Sequence, residues 1–453
     1  MTVMKKLISA ALISLFVVFA ISANAGSFED AVAAYERKDY VTAVKLFRVA
    51  ADQGHADAHY NLGRMYDKGQ GVTQDYNEAV KWYRLAADLG NAKAQFYLGV
   101  MYKDGKGVTQ DYNEAVKWYR LSADQGHDLS QFNLGLSYFS GKGVVKNYKE
   151  AVKWYQAAAD QGNLRAQNNL GSIYSNGHGV TQDYKESLRW YQLAADQGHA
   201  RAQYNLGYIY AHGEGVTQDY KEAVKWYRLA TDKGFSLAQF QLGRLYFHGE
   251  GVVQDYNEAV KWYRLSADQG DAQAQYNLAL IYFEGKEIVQ DYKEAKKLWQ
   301  LSAEQGLAQA QFNLGVMYES GEGVSQDYKE AVKWFRLAAE QGYKDAQFNL
   351  GVMYDKGQGV IQDYKEAVKL FRLSADQGDV NAQYNLGEKY ANGQGVIQDY
   401  VRAHMWLNVS ASSGDKTARS NRDIVAKKMS QTQIEKAQEM ATRCQSSNFK
   451  NCD

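Results

Sequence analysis

The sequence predicts an all-α solenoid built from 36-residue helix-turn-helix repeats. Three observations predict it. Glycine recurs at Gly54, Gly90, Gly126, Gly162, Gly198, Gly234, Gly270, Gly306, Gly342, Gly378 and Gly414, always 36 residues apart. Each interval holds two stretches with apolar residues at helical spacing. Proline is absent from all 453 residues. Proline removes a backbone donor and clashes inside a helix, so its absence suits a chain that is mostly helix.

The chain opens on a leader. Lys5 and Lys6 give a short positive region, Leu7 to Ile21 is apolar or small, and Ala23-Asn24-Ala25 is a small-x-small cleavage site. Residues 1–25 are therefore expected to be removed near Ala25, on export to the periplasm or beyond it. The apolar run is about 15 residues, short of the roughly 20 that span a bilayer. No integral membrane segment is expected after cleavage. A partial repeat follows over residues 26–54, then ten full repeats over 55–414, then a polar tail over 415–453.

Residues Asn91 to Gly126 stand for every unit. In the first half, Ala94, Leu98, Met101 and Tyr102 mark one face of a helix, with Asn91 where an N-cap belongs and Gly105 where the helix should end. A linker, Gly105 to Gln110, leads to a second helix. Asp111 and Glu114 form a capping-box-like pair, an acceptor at the N-cap and a Glu three residues on that can reach back. Within that helix Ala115, Trp118, Tyr119 and Ser122 lie on one stripe. A glycine stands mid-way along the first helix, at Gly99 and its equivalents. It costs about 1 kcal/mol against alanine, so a close approach of the paired helix is expected there, under the Trp column. Two such helices cannot bury their apolar faces alone; stacking does it. The unit Asp271 to Gly306 is irregular: Ala279 replaces the mid-helix glycine, Glu287 a linker glycine, and Leu298-Trp299 the usual Trp-Tyr.

These columns resemble the Sel-1-like repeat family, a relative of the tetratricopeptide repeat. The matching residues read Ala94, Leu98-Gly99, Tyr102, Gly105, Gly107-Val108, Asp111, Glu114-Ala115, Trp118-Tyr119, Ala123 and Gly126, and they recur tenfold. The resemblance implies a right-handed α/α superhelix that acts as a non-enzymatic adaptor or scaffold. It also implies, for a bacterial member, frequent export and ties to envelope assembly, signalling or host contact. Residues 415–441, with Met429 to Ile434 leading into a helix, resemble the terminal capping helices of exported members. Secreted cysteine-rich relatives have been linked to penicillin binding or hydrolysis, so a cell-wall-directed hydrolase is the alternative reading. Here the repeats carry no cysteine. The two cysteines, Cys444 and Cys452, both lie in the tail, where an oxidising compartment would let them pair.

Constant columns are explained by packing, so the columns that vary carry the information about a partner. Between Asn91 and Gly126 these are Lys93, Val100, Lys103 and Asp104, on one face of the first helix. In tetratricopeptide-like arrays that face lines the concave groove. Its beginning is basic and polar, with Arg64, Asp67, Lys93 and Lys103. Its centre carries Phe139, Arg165, Arg201, Tyr208, His212, Arg244, Phe247, His248 and Phe283, the partner-binding candidates. Aromatics and Arg dominate interface energetics. Its end is acidic, with Glu319, Asp345, Asp355 and Glu388. A protein or peptide ligand is expected, taken by a monomer.

Other chemistry finds little support. Lys plus Arg and Asp plus Glu are each 52, so nothing favours nucleic acid. The Gly-x-Gly linkers lack a third glycine and a preceding strand, and read as interhelical turns. Ser413/Lys416 and Ser447/Lys450 have Ser-x-x-Lys spacing without its companion motifs. His55 and His59 stand at i, i+4 with no third ligand near in sequence. No catalytic residue, metal site or cofactor is expected.

Overall fold

The computed structural model describes residues 28–449 and Cys452. The leader expected over 1–25 lies outside the described residues. Among the described residues there are 24 helices and no strand. The protein is an all-α solenoid whose repeat is an antiparallel helical hairpin. Two compact units divide it, one ending at Ala230 and the other beginning at Thr231.

In the first unit, helical residues 28–36 (α1) and α2 (Tyr40–Asp52) precede four complete hairpins and most of a fifth. These are α3 (Ala56–Lys68) with α4 (Tyr76–Asp88), α5 (Ala92–Asp104) with α6 (Tyr112–Asp124), α7 (Asp128–Ser140) with α8 (Tyr148–Asp160), α9 (Leu164–Asn176) with α10 (Tyr184–Asp196), and α11 (Ala200–His212) with α12 (Tyr220–Thr231). The second unit holds α13 (Ser236–His248) with α14 (Tyr256–Ala267), α15 (Ala272–Glu284) with α16 (Tyr292–Glu304), α17 (Ala308–Ser320) with α18 (Tyr328–Glu340), α19 (Lys344–Lys356) with α20 (Tyr364–Ala375), and α21 (Val380–Asn392) with α22 (Tyr400–Ser412). Its tail adds α23 (Lys416–Ala426) and α24 (Gln431–Ser446).

The expected caps form. Asn91 Oδ1 accepts from the Ala94 N–H at 2.8 Å, and Gly105 ends α5 in the left-handed conformation, φ 68°. Asp111 Oδ1 accepts from the Asn113 and Glu114 N–H groups at 2.8 and 3.1 Å. The expected reach-back of Glu114 does not occur. The Asp111 N–H already donates to the Tyr102 carbonyl at 2.9 Å, and Glu114 turns outward to Lys117. A complete capping box is seen in the tail, where Ser430 N donates to Gln433 Oε1 at 2.8 Å and Gln433 N to Ser430 Oγ at 3.3 Å.

The mid-helix glycine lies under tyrosine, not tryptophan. A Cβ on Gly99 would stand 2.7 Å from the Tyr119 ring. Trp118 faces the preceding hairpin, where Arg84 of α4 lies over its ring at 5.7 Å. The second linker glycine has a separate reason. Gly107 has φ 68°, and a Cβ there would meet the carbonyl oxygen of Tyr76, the first residue of α4, at 2.2 Å. Successive hairpins thus touch backbone to backbone. In the irregular unit Glu287 takes the same left-handed conformation at φ 54°, while Ala279 and Trp299 are both buried in one core cluster.

A buried glutamine column ties the hairpins together. Gln95 Nε2 donates to the Ala87 carbonyl at the end of α4 at 3.1 Å, and its Oε1 accepts from Gln125 Nε2 at 2.7 Å. The free carbonyls of a helix C-terminus are met in this way. The pattern repeats at Gln131, Gln167, Gln275, Gln311 and Gln347.

Both ends are covered. Phe28 stacks on His55 at 4.2 Å and packs on Phe47 at 5.8 Å. At the far end α22 differs from its predecessors: Met405 stands where α20 has the exposed Lys369, and Val409 where it has the exposed Leu373. Both are buried, in one cluster with Ala437, Ala441 and Cys444 of α24. Cys444 and Cys452 are joined by a disulfide.

Candidate partner-binding face

The first helix of each hairpin buries the side carrying its Ala-Gln and Leu-Gly pairs and leaves a stripe at i, i+4, i+7 and i+11 open. In α9 that stripe is Arg165, Asn169, Ser172 and Asn176; in α11 it is Arg201, Asn205, Tyr208 and His212. The expected columns thus lie on an accessible face. Val100 and Asp104 share it, whereas Lys103 leans to the linker side and pairs with Asp104 at 3.2 Å.

The nine candidates divide by environment. Arg165 and Arg201 are exposed. Tyr208 is exposed, and His212 stacks on its ring at 4.0 Å while His212 Nδ1 lies 2.9 Å from the Tyr208 carbonyl. His248 is exposed beside Phe247, ring to ring at 5.0 Å. Phe139, Phe247 and Phe283 do not stand free. Each is half-buried and packs edge-on, at 5.2 Å, against the first tyrosine of its own second helix: Tyr148, Tyr256 and Tyr292. They brace the hairpin, in the column that Lys103 holds. Arg244 is half-buried, 4.0 Å from Glu250, with its Nε sequestered and unbonded. Among the nine, the structure pairs Tyr208 with His212 and Phe247 with His248, and sets Arg165 and Arg201 near His199.

The acidic end is engaged internally. Asp355 forms an ion pair with the buried Lys389, and Glu388 accepts from Asn421 Nδ2 of α23 at 2.9 Å. Burial raises the carboxyl pKa of Glu319.

Three features of this face are absent from the candidates read off the sequence, although Leu129, Leu136, Leu237 and Ser172 stand in the variable columns of Lys93 and Val100. Leu129, Leu136 and Leu237 are each more than 40% exposed on the stripe, as apolar as the buried columns yet open to solvent. The asparagine at Asn133, Asn169 and Asn205 lies on the same stripe, but it hardly varies, so variability gives it no weight. Last, Ser172 opens a slot of about 220 Å³ between α7 and α9, because its neighbours in the column are the larger Leu136 and Tyr208. Leu136, Phe139, Asn169, Ser172 and Ile173 line it, and Tyr155 forms its floor. Burial pushes the Tyr155 hydroxyl pKa up to about 12; the Asn169 amide is beside it, but no group meets it at hydrogen-bonding geometry.

Among the described residues no group of three or more His, Cys, Asp or Glu side chains could hold a metal ion. No described helix is long and apolar enough to cross a membrane.

The Sel1 repeat pattern matches eleven consecutive segments, from residues 34–55 through 56–91 and onward to 380–415. The chain belongs to the Sel1 repeat family. Two solved members show how close the match is. One is c5321 of uropathogenic Escherichia coli, a protective antigen with the same repeat fold. It is 39% identical, with 94% of this chain and 93% of that one covered and a TM-score of 0.75. The other is a Sel1 repeat protein from Oxalobacter formigenes, 34% identical, covering 68% of this chain and 89% of that one, with a TM-score of 0.55. No curated protein sequence matches this chain. Sel1 repeat proteins generally serve as protein-interaction scaffolds and are typically not enzymes. This Sel1 repeat protein has the architecture for that role: rigid hairpins, a buried polar ladder, and an unfilled stripe of Arg, aromatic and Leu side chains.

Proposed function

We propose that this Sel1 repeat protein is an exported, monomeric binding scaffold that grips a protein segment, extended or helical, on the open stripe of its first helices. The observation that carries the reading is the stripe itself. Arg165, Arg201 and Tyr208 remain accessible, and Leu129, Leu136 and Leu237 are exposed on the same stripe. Exposed apolar and Arg-rich surface on a rigid support is what a protein interface uses. Export rests on the leader sequence, and the role of the 39% identical relative as a protective antigen is in keeping with it. A cell-wall hydrolase has no support: the repeats lack the cysteines of the relatives from which that activity would be carried over.

Crosslinking in the native envelope, with identification of the captured protein, tests the proposal. Replacing Tyr208, Arg244 and Phe247 by Ala is expected to reduce capture of that protein by about tenfold or more, since interface anchors cost at least about 1–2 kcal/mol each. Because Phe247 also braces Tyr256, circular dichroism melting curves check that the variant is folded at the assay temperature. Undiminished capture by a folded variant removes this face from the proposal.

A further inference from the structure

We infer that the slot opened by Ser172, together with Arg165 and Arg201, forms a docking site for an acidic protein segment. An aliphatic side chain would enter the slot and a carboxylate would lie between the two guanidinium groups. The inference rests on the binding-scaffold reading and names the chemistry of the partner. All of its parts lie on α7, α8, α9 and α11 of the first unit.

The charge is the first argument. Arg165 and Arg201 are exposed, occupy the same register in successive hairpins, and form no ion pair among the described residues. Both lie close enough to His199, the N-cap of α11, to disfavour its protonation, adding to the larger effect of burial. Two cations therefore converge where a carboxylate would relieve their repulsion. Asp128, one residue from Leu129 on the preceding hairpin, is already bonded to Asn163 Nδ2 at 2.9 Å. Arginine presents a fork that matches a carboxylate with two parallel hydrogen bonds.

The slot is the second argument. Its volume of about 220 Å³ is smaller than the roughly 300–1,000 Å³ of small-molecule sites, and suits one side chain. Leu136 and Phe139 form one wall, Asn169 and Ser172 the other. An aliphatic side chain there would meet apolar carbon on most sides, and the Asn169 amide could hold the incoming backbone. Leu129, 42% exposed, holds the register of Arg165 in the preceding hairpin.

The spacing of the two parts gives the sequence rule. Arg165 and Ser172 are seven residues apart on one helix, about 10 Å along the axis. An extended chain covers that in about three residues. The preferred segment carries Leu, Ile or Val about three positions from Asp, Glu or a C-terminal carboxylate.

A displayed library of random dodecapeptides, selected on the purified chain without residues 1–25, tests this. Two variants accompany it. Ser172→Leu closes the slot with the side chain that the preceding hairpin carries at Leu136; Arg165→Glu with Arg201→Glu reverses the charge. Melting curves check that both variants fold. The inference expects peptides with the aliphatic-acidic spacing, and about tenfold or greater loss of their binding in each variant. Enrichment of basic or purely aromatic peptides, or binding indifferent to both variants, overturns it. If such binding is still lost on replacing Tyr208, Arg244 and Phe247 by Ala, the binding-face reading survives while this site does not. Failure to enrich any peptide, or binding of a polynucleotide in its place, counts against both.

Discussion

At the scale of single residues, the repeat is set by a few side chains that have no room to change. Gly99 is the clearest. Its would-be Cβ lies 2.7 Å from the Tyr119 ring, and the ring is sealed in the core. Gly99→Ala is expected to destabilise the protein by about 1–3 kcal/mol, the usual cost of overpacking, although alanine is the better helix former. A denaturant midpoint that rises would show that the ring has space to move. Histidine gives a pH-dependent counterpart. His127 and His199 cap α7 and α11 through Nδ1, which must be unprotonated to accept the Ser130 and Ala202 N–H groups. Burial lowers the pKa of both, with Lys93 adding to it at His127 and Arg201 and Arg165 at His199. As pH falls below about 6.5, the unfolded chain takes up protons before the folded one, so stability present at neutral pH is lost. The melting temperature should therefore fall between pH 7.5 and 5.5. Replacing both histidines by Asn, the cap used at Asn91 and Asn163, should shrink that fall. An equal fall in parent and variant would place the sensitivity elsewhere.

At the scale of elements, the hairpin is a standard part and its ends are the exceptions. Each second helix shows solvent one lysine-rich face, as at Lys369. Helix α22 cannot, because α24 lies against it, and Met405 and Val409 are the response. The tail is held by the Cys444–Cys452 disulfide, with both sulfur-bearing residues almost fully buried. Closing a loop this short constrains the unfolded tail by roughly 2–3 kcal/mol. Reduction, or Cys444→Ser with Cys452→Ser, should therefore lower the unfolding midpoint of the end segment. Amide exchange in α23 and α24 should rise before it does in α20. Unchanged exchange in α24 would mean that packing alone holds the tail.

At the scale of the whole molecule, stability is a sum over neighbours. Each hairpin buries its faces on the next through apolar columns, the glutamine ladder and backbone contacts such as Gly107 on Tyr76. Such an array tolerates change within a unit better than loss of an end. Removing residues 415–453 would expose the buried Met405 and Val409 side of α22. The shortened chain is expected to self-associate, visible as a larger species in size-exclusion chromatography with light scattering. A monodisperse monomer of unchanged melting temperature would contradict this.

The sequence by itself determined the repeat length, the hairpin, and the N-cap acceptors and C-terminal glycines of its helices. Periodicity and capping are local: they depend on residues three or four apart, and tenfold repetition averages out error. It also marked the stripe on which Arg165, Arg201 and Tyr208 lie open, since helical spacing alone puts them on one face. Only the tertiary structure decided what each column meets. It put tyrosine and not tryptophan against Gly99, turned Glu114 toward Lys117, gave Asp355 to Lys389, and set Phe139 and Phe247 edge-on to tyrosines. It alone revealed the slot beside Ser172, because a cavity exists through the sizes of side chains from three different helices. Contacts such as Gly99 with Tyr119 and Asp355 with Lys389, 20 and 34 positions apart, depend on how one helix seats on another, and that geometry is not written in the spacing of either.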